Sequence, residues 1–129
     1  MKKLASLVFL VFLASCANPA FLSVLSAPPI SADQAYSILR SDPEVLVIDV
    51  RSQAEFRRGH LEGAILVPHN EIPALAEELL PFKDRKVLLY CRSGMRSRMA
   101  AKHLEDLGFS NVKELAGGLA SWRYGTVKD

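Results

Sequence analysis

From Ile30 onward the chain alternates between two hydrophobic rhythms. Ser31-x-x-Gln34 is a capping box, and Ala35, Ile38 and Leu39 follow at helical spacing, predicting a helix to about Arg40. Asp42-Pro43 ends it, because a proline disfavours helical geometry in the residue before it. Val45 to Val50 is rich in β-branched residues, as in a strand covered on both faces. A short helix from Gln53 to Arg58 stops at Gly59, and Ala64 to Val67 forms a second strand closed by Pro68. Ile72, Leu75 and Leu79 predict a helix followed by Pro81, and Lys86 to Tyr90 predicts a third strand. Met95 to Leu107 is the clearest helix, striped by Ala100, Leu104 and Leu107 and ended by Gly108. A last strand, Val112 to Leu115, precedes Gly117-Gly118 and a short helix carrying Trp122. Strands alternating with helices imply an α/β fold: an open, mostly parallel sheet of four to five strands with helices on both faces. Such sheets place their sites at the carboxyl ends of the strands, where Cys91 falls.

The first 29 residues follow a different pattern. Lys2 and Lys3 precede an apolar run from Leu4 to Leu13, then small residues and Cys16, the layout of a secretory signal. The run is shorter than the roughly 20 apolar residues a membrane span needs. Leu13-Ala14-Ser15-Cys16 resembles the lipobox of bacterial lipoproteins, which implies lipidation of Cys16 and attachment to a membrane without spanning it. Ordinary cleavage after Ala17 is the alternative, and a retained anchor ranks third because Asn18 and Pro19 would lie mid-span. Residues 1–15 are thus expected to be a signal peptide, 16–29 a proline-stiffened tether and 30–129 the folded domain. The implied location is the cell envelope, facing the periplasm. Ala17 after Cys16 makes the outer membrane the default, since an Asp there typically retains lipoproteins at the inner membrane.

Charge narrows the partners. The chain carries 16 Lys and Arg against 14 Asp and Glu, and Lys2 and Lys3 account for the whole excess. Without the signal the domain is near neutral and has no basic patch interleaved with aromatics, so no nucleic-acid partner is expected. His60, His69 and His103 are too scattered to suggest a metal site, and no cofactor is implied. The two cysteines are Cys16 and Cys91. With Cys16 lipidated, Cys91 has no partner in the chain, and a lone thiol in an exported protein points to chemistry or to plain burial.

The loop Cys91-Arg92-Ser93-Gly94-Met95-Arg96-Ser97 joins a buried strand to a long helix. A helix start offers unpaired N–H groups and partial positive charge, Gly94 lets the loop turn amides inward, and Arg92 and Arg96 add fixed charge. Each favours thiolate over thiol, making Cys91 a nucleophile beside an anion site. The same cradle suits thiosulfate, a persulfide or a phosphate.

Cys91-x-x-Gly94-x-Arg96 closely resembles the active-site loop of single-domain rhodaneses. Asp49-Val50-Arg51, Glu55-Phe56, Gly59-His60, Gly63-Ala64 and Pro68 resemble that family's upstream signature, and Gly117-Gly118 with Trp122 its closing segment. The resemblance spans about residues 30 to 125. It implies a cofactor-free sulfurtransferase, expected as a monomer. Cys91 would take sulfur from thiosulfate or another sulfane-sulfur donor and pass the persulfide sulfur to cyanide or a thiol. Two alternatives share the fold. One is a binding module or a persulfide carrier that needs a partner protein. The other is a Cys-dependent phosphatase or arsenate reductase, whose loops have five residues between Cys and Arg; here Cys91 and Arg96 enclose four, and Arg98 would require six.

Within the loop, Arg96 is expected to close the cradle and Arg92 to face incoming substrate, while Ser93, Gly94 and Met95 act through their amides. Asp49 either orients the loop as an acceptor or, with Arg51, holds a turn; Glu55 is in helical reach of Arg51 and expected to pair with it. His60 is expected to be structural, His69 and Asn70 to line the pocket mouth, His103 to face solvent and Trp122 to pack in the core.

Overall fold

A computed structural model describes residues 28–129. The signal segment, Cys16 and nearly all of the tether lie outside the described residues. Helix α1 (Ala32–Ser41) opens with the capping box intact: Ser31 Oγ accepts from the Gln34 amide, and Gln34 Oε1 accepts from the Ser31 amide. Strand β1 (Leu46–Asp49), helix α2 (Gln53–Arg58) and the two-residue β2 (Ile65–Leu66) follow. After α3 (Ala76–Leu79) come β3 (Val87–Tyr90), α4 (Met95–Asp106), β4 (Val112–Glu114) and a 3-10 turn over Gly118–Ser121. Ser52 and Glu55 form a second capping box that starts α2, and Gly59 ends it.

The four strands are parallel in the order β2-β1-β3-β4. Ile30 adds a single parallel bridge to Leu115, just past β4. The expected α/β architecture is thus borne out. Alternation along the strands divides the core between the two faces. Val87 and Leu89 pack with Ala100, Ala101 and Leu104 of α4, whereas Leu88 and Tyr90 pack with Ala32 and Ala35 of α1. Cys91 lies on the α4 side.

The chain leaves β1 toward β2 and then returns to place β3 on the other side of β1. This reversal of strand order marks the position, beyond the carboxyl ends of β1 and β3, where open α/β sheets bind ligands.

The predicted helix over Ile72 to Leu79 is broken up. A 3-10 turn occupies His69–Glu71, regular helix begins only at Ala76, and Leu80–Phe82 is a further 3-10 turn. Pro73 has no N–H to donate to a preceding carbonyl, and Pro81 starts the last turn instead of ending a helix. The apolar spacing still buries Ile72 and Leu79. Among the described residues no helix is long and apolar enough to cross a membrane.

Candidate active site

Tyr90 ends β3 fully buried, and Cys91 is the next residue. Two anchors then shape the loop. Gly94 takes a left-handed conformation (φ 108°) at the N-terminus of α4, which turns its amide back onto Cys91 Sγ at 3.0 Å. On the opposite side the Leu119 amide donates to the Cys91 carbonyl at 2.8 Å and the Ala120 amide to that of Arg92 at 3.0 Å. With its carbonyls held by the 3-10 turn, the loop presents its amides inward.

Gly118 permits that contact. A Cβ there would stand 2.5 Å from the Cys91 carbonyl oxygen and from the Arg92 carbonyl carbon.

Cys91 is 1 % exposed and belongs to the core cluster around α4, so burial alone would suit a small hydrophobe. Its hydrogen bonds argue otherwise. Burial raises the thiol's pKa, yet the Ser97 amide and hydroxyl and the amides of Gly94 and Ser93 outweigh it and hold the pKa below its ordinary value. A cysteine packed only among apolar side chains would shift upward. The sulfur is therefore recessed among the loop's amides, in surroundings that favour the thiolate.

Ser97 is buried on the first turn of α4. Its Oγ lies 3.6 Å from Cys91 Sγ, 3.1 Å from the Gly94 carbonyl and 3.0 Å from Glu114 Oε1. Glu114, on β4, is 3 % exposed, and burial raises its carboxyl's pKa.

A model of the rhodanese-like domain matches residues 31–124. The chain belongs to the rhodanese-like domain family. A sulfurtransferase of Allochromatium vinosum is 38% identical over 84 residues, 65% of this chain and 77% of that protein. A tRNA uridine(34) hydroxylase of Photorhabdus laumondii is 33% identical over 97 residues, 72% of this chain but only 27% of the hydroxylase. Among solved structures, a rhodanese-related protein from Thermoplasma volcanium superimposes with a TM-score of 0.70 at 28% identity, covering 80% of this chain and 100% of that one.

Within this rhodanese-like domain the expected residues divide into two groups. Cys91, Ser93, Gly94 and Arg96 come together around the sulfur, Arg96 through its charge and the others through direct contact or amides. Arg92 and Met95 are exposed at the rim, Met95 at 77 %. The ion pairs differ from expectation. Glu55 pairs with Arg96, not Arg51, in a two-pronged contact of 2.6 and 2.9 Å that ties α2 to α4. Arg51 is turned inward instead, because Asp49, 0 % exposed, takes its guanidinium at 2.7 Å and the Gly59 carbonyl accepts a further bond at 2.7 Å. A buried guanidinium needs a carboxylate beside it, and Asp49 is closer in the fold than Glu55. Asp49 thus holds the turn after β1 and contacts no group of the loop by hydrogen bond among the described residues.

The Arg96 contact is the main reason the Glu55 carboxyl is pulled down to about 2. His60 is structural: its Nδ1–H donates to the Leu61 carbonyl at 2.9 Å and its ring stacks on Phe56. Asp129 Oδ2 stands 3.1 Å from its Nε2 without an aligned hydrogen bond. His69 and Asn70 lie in the 3-10 turn after β2, and a cleft of about 290 Å³ on the β4 side of the loop is bounded by Ser93, Gly94, Met95, Glu114 and Gly117. His103 is exposed, and Trp122 packs edge-on against Tyr36 and Tyr124. Among the described residues no cluster of His, Cys, Asp or Glu has metal-site geometry.

Glu114 was not singled out by residue pattern, and Ser97 and Gly118 stood only as members of the loop and of Gly117-Gly118, with no role of their own. Glu114 carried a local signal of its own, an acidic residue at an inward position of a buried strand.

Proposed function

We propose that this protein is a sulfurtransferase that moves a sulfane sulfur through a persulfide on Cys91. The observation that carries this reading is a buried thiol whose pKa is nonetheless lowered, held by inward amides in a loop with four residues between Cys91 and Arg96. The Cys91 thiolate attacks the outer sulfur of thiosulfate, the sulfur–sulfur bond breaks, and sulfite leaves with the electron pair. The new terminal sulfur carries the negative charge, which the amides of the recessed bowl stabilise. Cyanide or a thiolate then attacks that terminal sulfur and Cys91 departs as thiolate. No oxidant, metal or cofactor enters the balance.

The sulfurtransferase relative supports the reading across most of its own length. The hydroxylases share only about a quarter to a third of theirs, the portion that corresponds to this domain. A protein thiol as acceptor is favoured by Met95 and Met99, 77 % and 52 % exposed on one face of α4 beside the loop. In this reading the domain works at the envelope, held by a lipid on Cys16; Cys16→Ser then releases it from membranes, and unchanged membrane association rules the anchor out.

Intact mass after thiosulfate treatment tests the chemistry. The wild-type protein gains one sulfur atom that cyanide removes, and Cys91→Ser gains none. Equal gain in both, or no gain in either, overturns the assignment.

A further inference from the structure

Ser97 Oγ, besides lying 3.1 Å from the Gly94 carbonyl, stands between two groups that are each stabilised as anions by accepting its hydrogen bond. The sulfur of Cys91 is on one side at 3.6 Å and Glu114 Oε1 on the other at 3.0 Å. A hydroxyl has one proton and two lone pairs, so it serves one anion at a time. If Glu114 is ionised, it captures the hydroxyl and leaves the thiolate one donor short. If Glu114 is protonated, its own O–H donates to Ser97 Oγ, and the hydroxyl proton is left to the sulfur and the Gly94 carbonyl at 3.1 Å, of which the sulfur draws it more strongly once ionised.

The surroundings decide between these states. The Cys91 sulfur receives the Gly94 amide at 3.0 Å and faces the amides of Ser93 and Ser97. Glu114 receives no main-chain N–H and no ion pair among the described residues, although it is 3 % exposed. Of the charged groups that act on it, Arg98 and Glu105, both on α4, oppose each other. Cys91, beyond Ser97, adds negative charge when ionised. Burying a carboxylate without compensating donors is costly, so the proton stays on Glu114 and leaves the sulfur.

We propose that Glu114 is a positioning residue that works as a neutral acid, donating its carboxyl proton to Ser97 Oγ and thereby committing the Ser97 hydroxyl to the Cys91 sulfur. The assignment rests on Cys91 being the nucleophile of the proposed sulfur transfer, but it concerns the ionisation of that thiol whatever donor it meets. Its consequence is a nucleophile activated by a buried acid rather than by a base. The total proton count is unchanged by the arrangement: the thiol proton goes to solvent, and Glu114 and Ser97 each keep one proton.

The rate of alkylation of Cys91 by iodoacetamide, followed against pH in the whole chain, reports this directly. Ser97→Ala removes one hydrogen bond to the thiolate and raises the midpoint by about one pH unit. Glu114→Leu removes the donor and raises it by a similar amount, and adding Ser97→Ala to Glu114→Leu raises it no further. Glu114→Gln keeps a neutral N–H donor in the same place and brings the midpoint back toward wild type. A midpoint in Glu114→Gln as high as in Ser97→Ala overturns the proposal, because it shows that a titrating carboxyl is required. Additive shifts in the double variant overturn it too, because Glu114 then acts on the sulfur by another route. The Glu114→Gln comparison decides alone if Glu114→Leu does not fold. A domain that transfers no sulfur still yields this titration, so failure of the sulfurtransferase reading is recognised separately by mass.

Discussion

Gly118→Ala tests whether the shape of the Cys91 loop is imposed by the segment behind it. The new Cβ would lie 2.5 Å from the Arg92 carbonyl carbon and the Cys91 oxygen and 2.6 Å from the Arg92 oxygen, where ordinary contact begins at 3.4 Å. All three atoms are backbone, so no side chain can swing aside, and the loop must retreat by roughly an ångström. That retreat breaks or lengthens the bonds from Leu119 and Ala120 that turn the loop's amides inward. The left-handed backbone at Gly118 (φ 60°) adds about 1–2 kcal/mol for any residue with a Cβ. Displacing the reacting group by that distance predicts a fall in kcat/KM for thiosulfate:cyanide transfer of about 10²-fold. Stability should fall by about 2–4 kcal/mol, the range for strain combined with overpacking. Gly108→Ala is the matched control. It has the same kind of left-handed backbone (φ 100°) at the end of α4, but nothing within 4 Å of the added Cβ. It should therefore lose about 1–2 kcal/mol of stability while its kcat/KM stays within about twofold of wild type. Kinetics with both variants, alongside thermal unfolding, separate the two contributions. Wild-type kcat/KM in Gly118→Ala, or an equal loss in both variants, would refute the idea that this contact shapes the loop.

Two further predictions concern the ion pairs. Glu55→Gln breaks the two-pronged contact with Arg96 and should cost about 1–2 kcal/mol, after allowing for screening at a half-buried site. The Glu55 carboxyl is lowered from 4.5 to about 2, so its contribution is complete above pH 4.5 and disappears as the pH falls through about 2. Thermal unfolding across that window should show a steeper acid-dependent loss in wild type than in Glu55→Gln, in which the other paired carboxylates still titrate; parallel curves would refute it. Asp49→Ala leaves the buried Arg51 guanidinium without its carboxylate and should destabilise the domain by about 3–5 kcal/mol in urea unfolding. A loss under about 1 kcal/mol would mean that Arg51 finds solvent or another partner.

Sequence periodicity and local chemistry were sufficient for much of the fold. The Ser31–Gln34 capping box, the Gly59 stop and the buried strands leading to Asp49 and Cys91 follow from residues a few positions apart. The loop was legible for the same reason, since a strand end, a left-handed glycine and a helix start are contiguous in the chain. The segment from Ile72 to Leu79 shows the limit of periodicity: its apolar spacing set which residues are buried, but the prolines at 73 and 81 altered the local backbone.

Sequence alone determined that Cys91 stands at a strand-to-helix junction with glycine and arginine around it. Tertiary structure decided which distant groups complete that junction. Glu55 lies 41 positions from Arg96 and Ser97 lies 17 from Glu114, and sequence spacing predicts neither pairing. Glu55 has two arginines within plausible reach, and the choice depends on which guanidinium the sheet buries against Asp49. Gly118 becomes necessary only when β4 and the turn after it are laid against the loop. Local propensity acts over a helical turn, whereas the packing of parallel strands brings together residues whose separation along the chain carries no periodic signal.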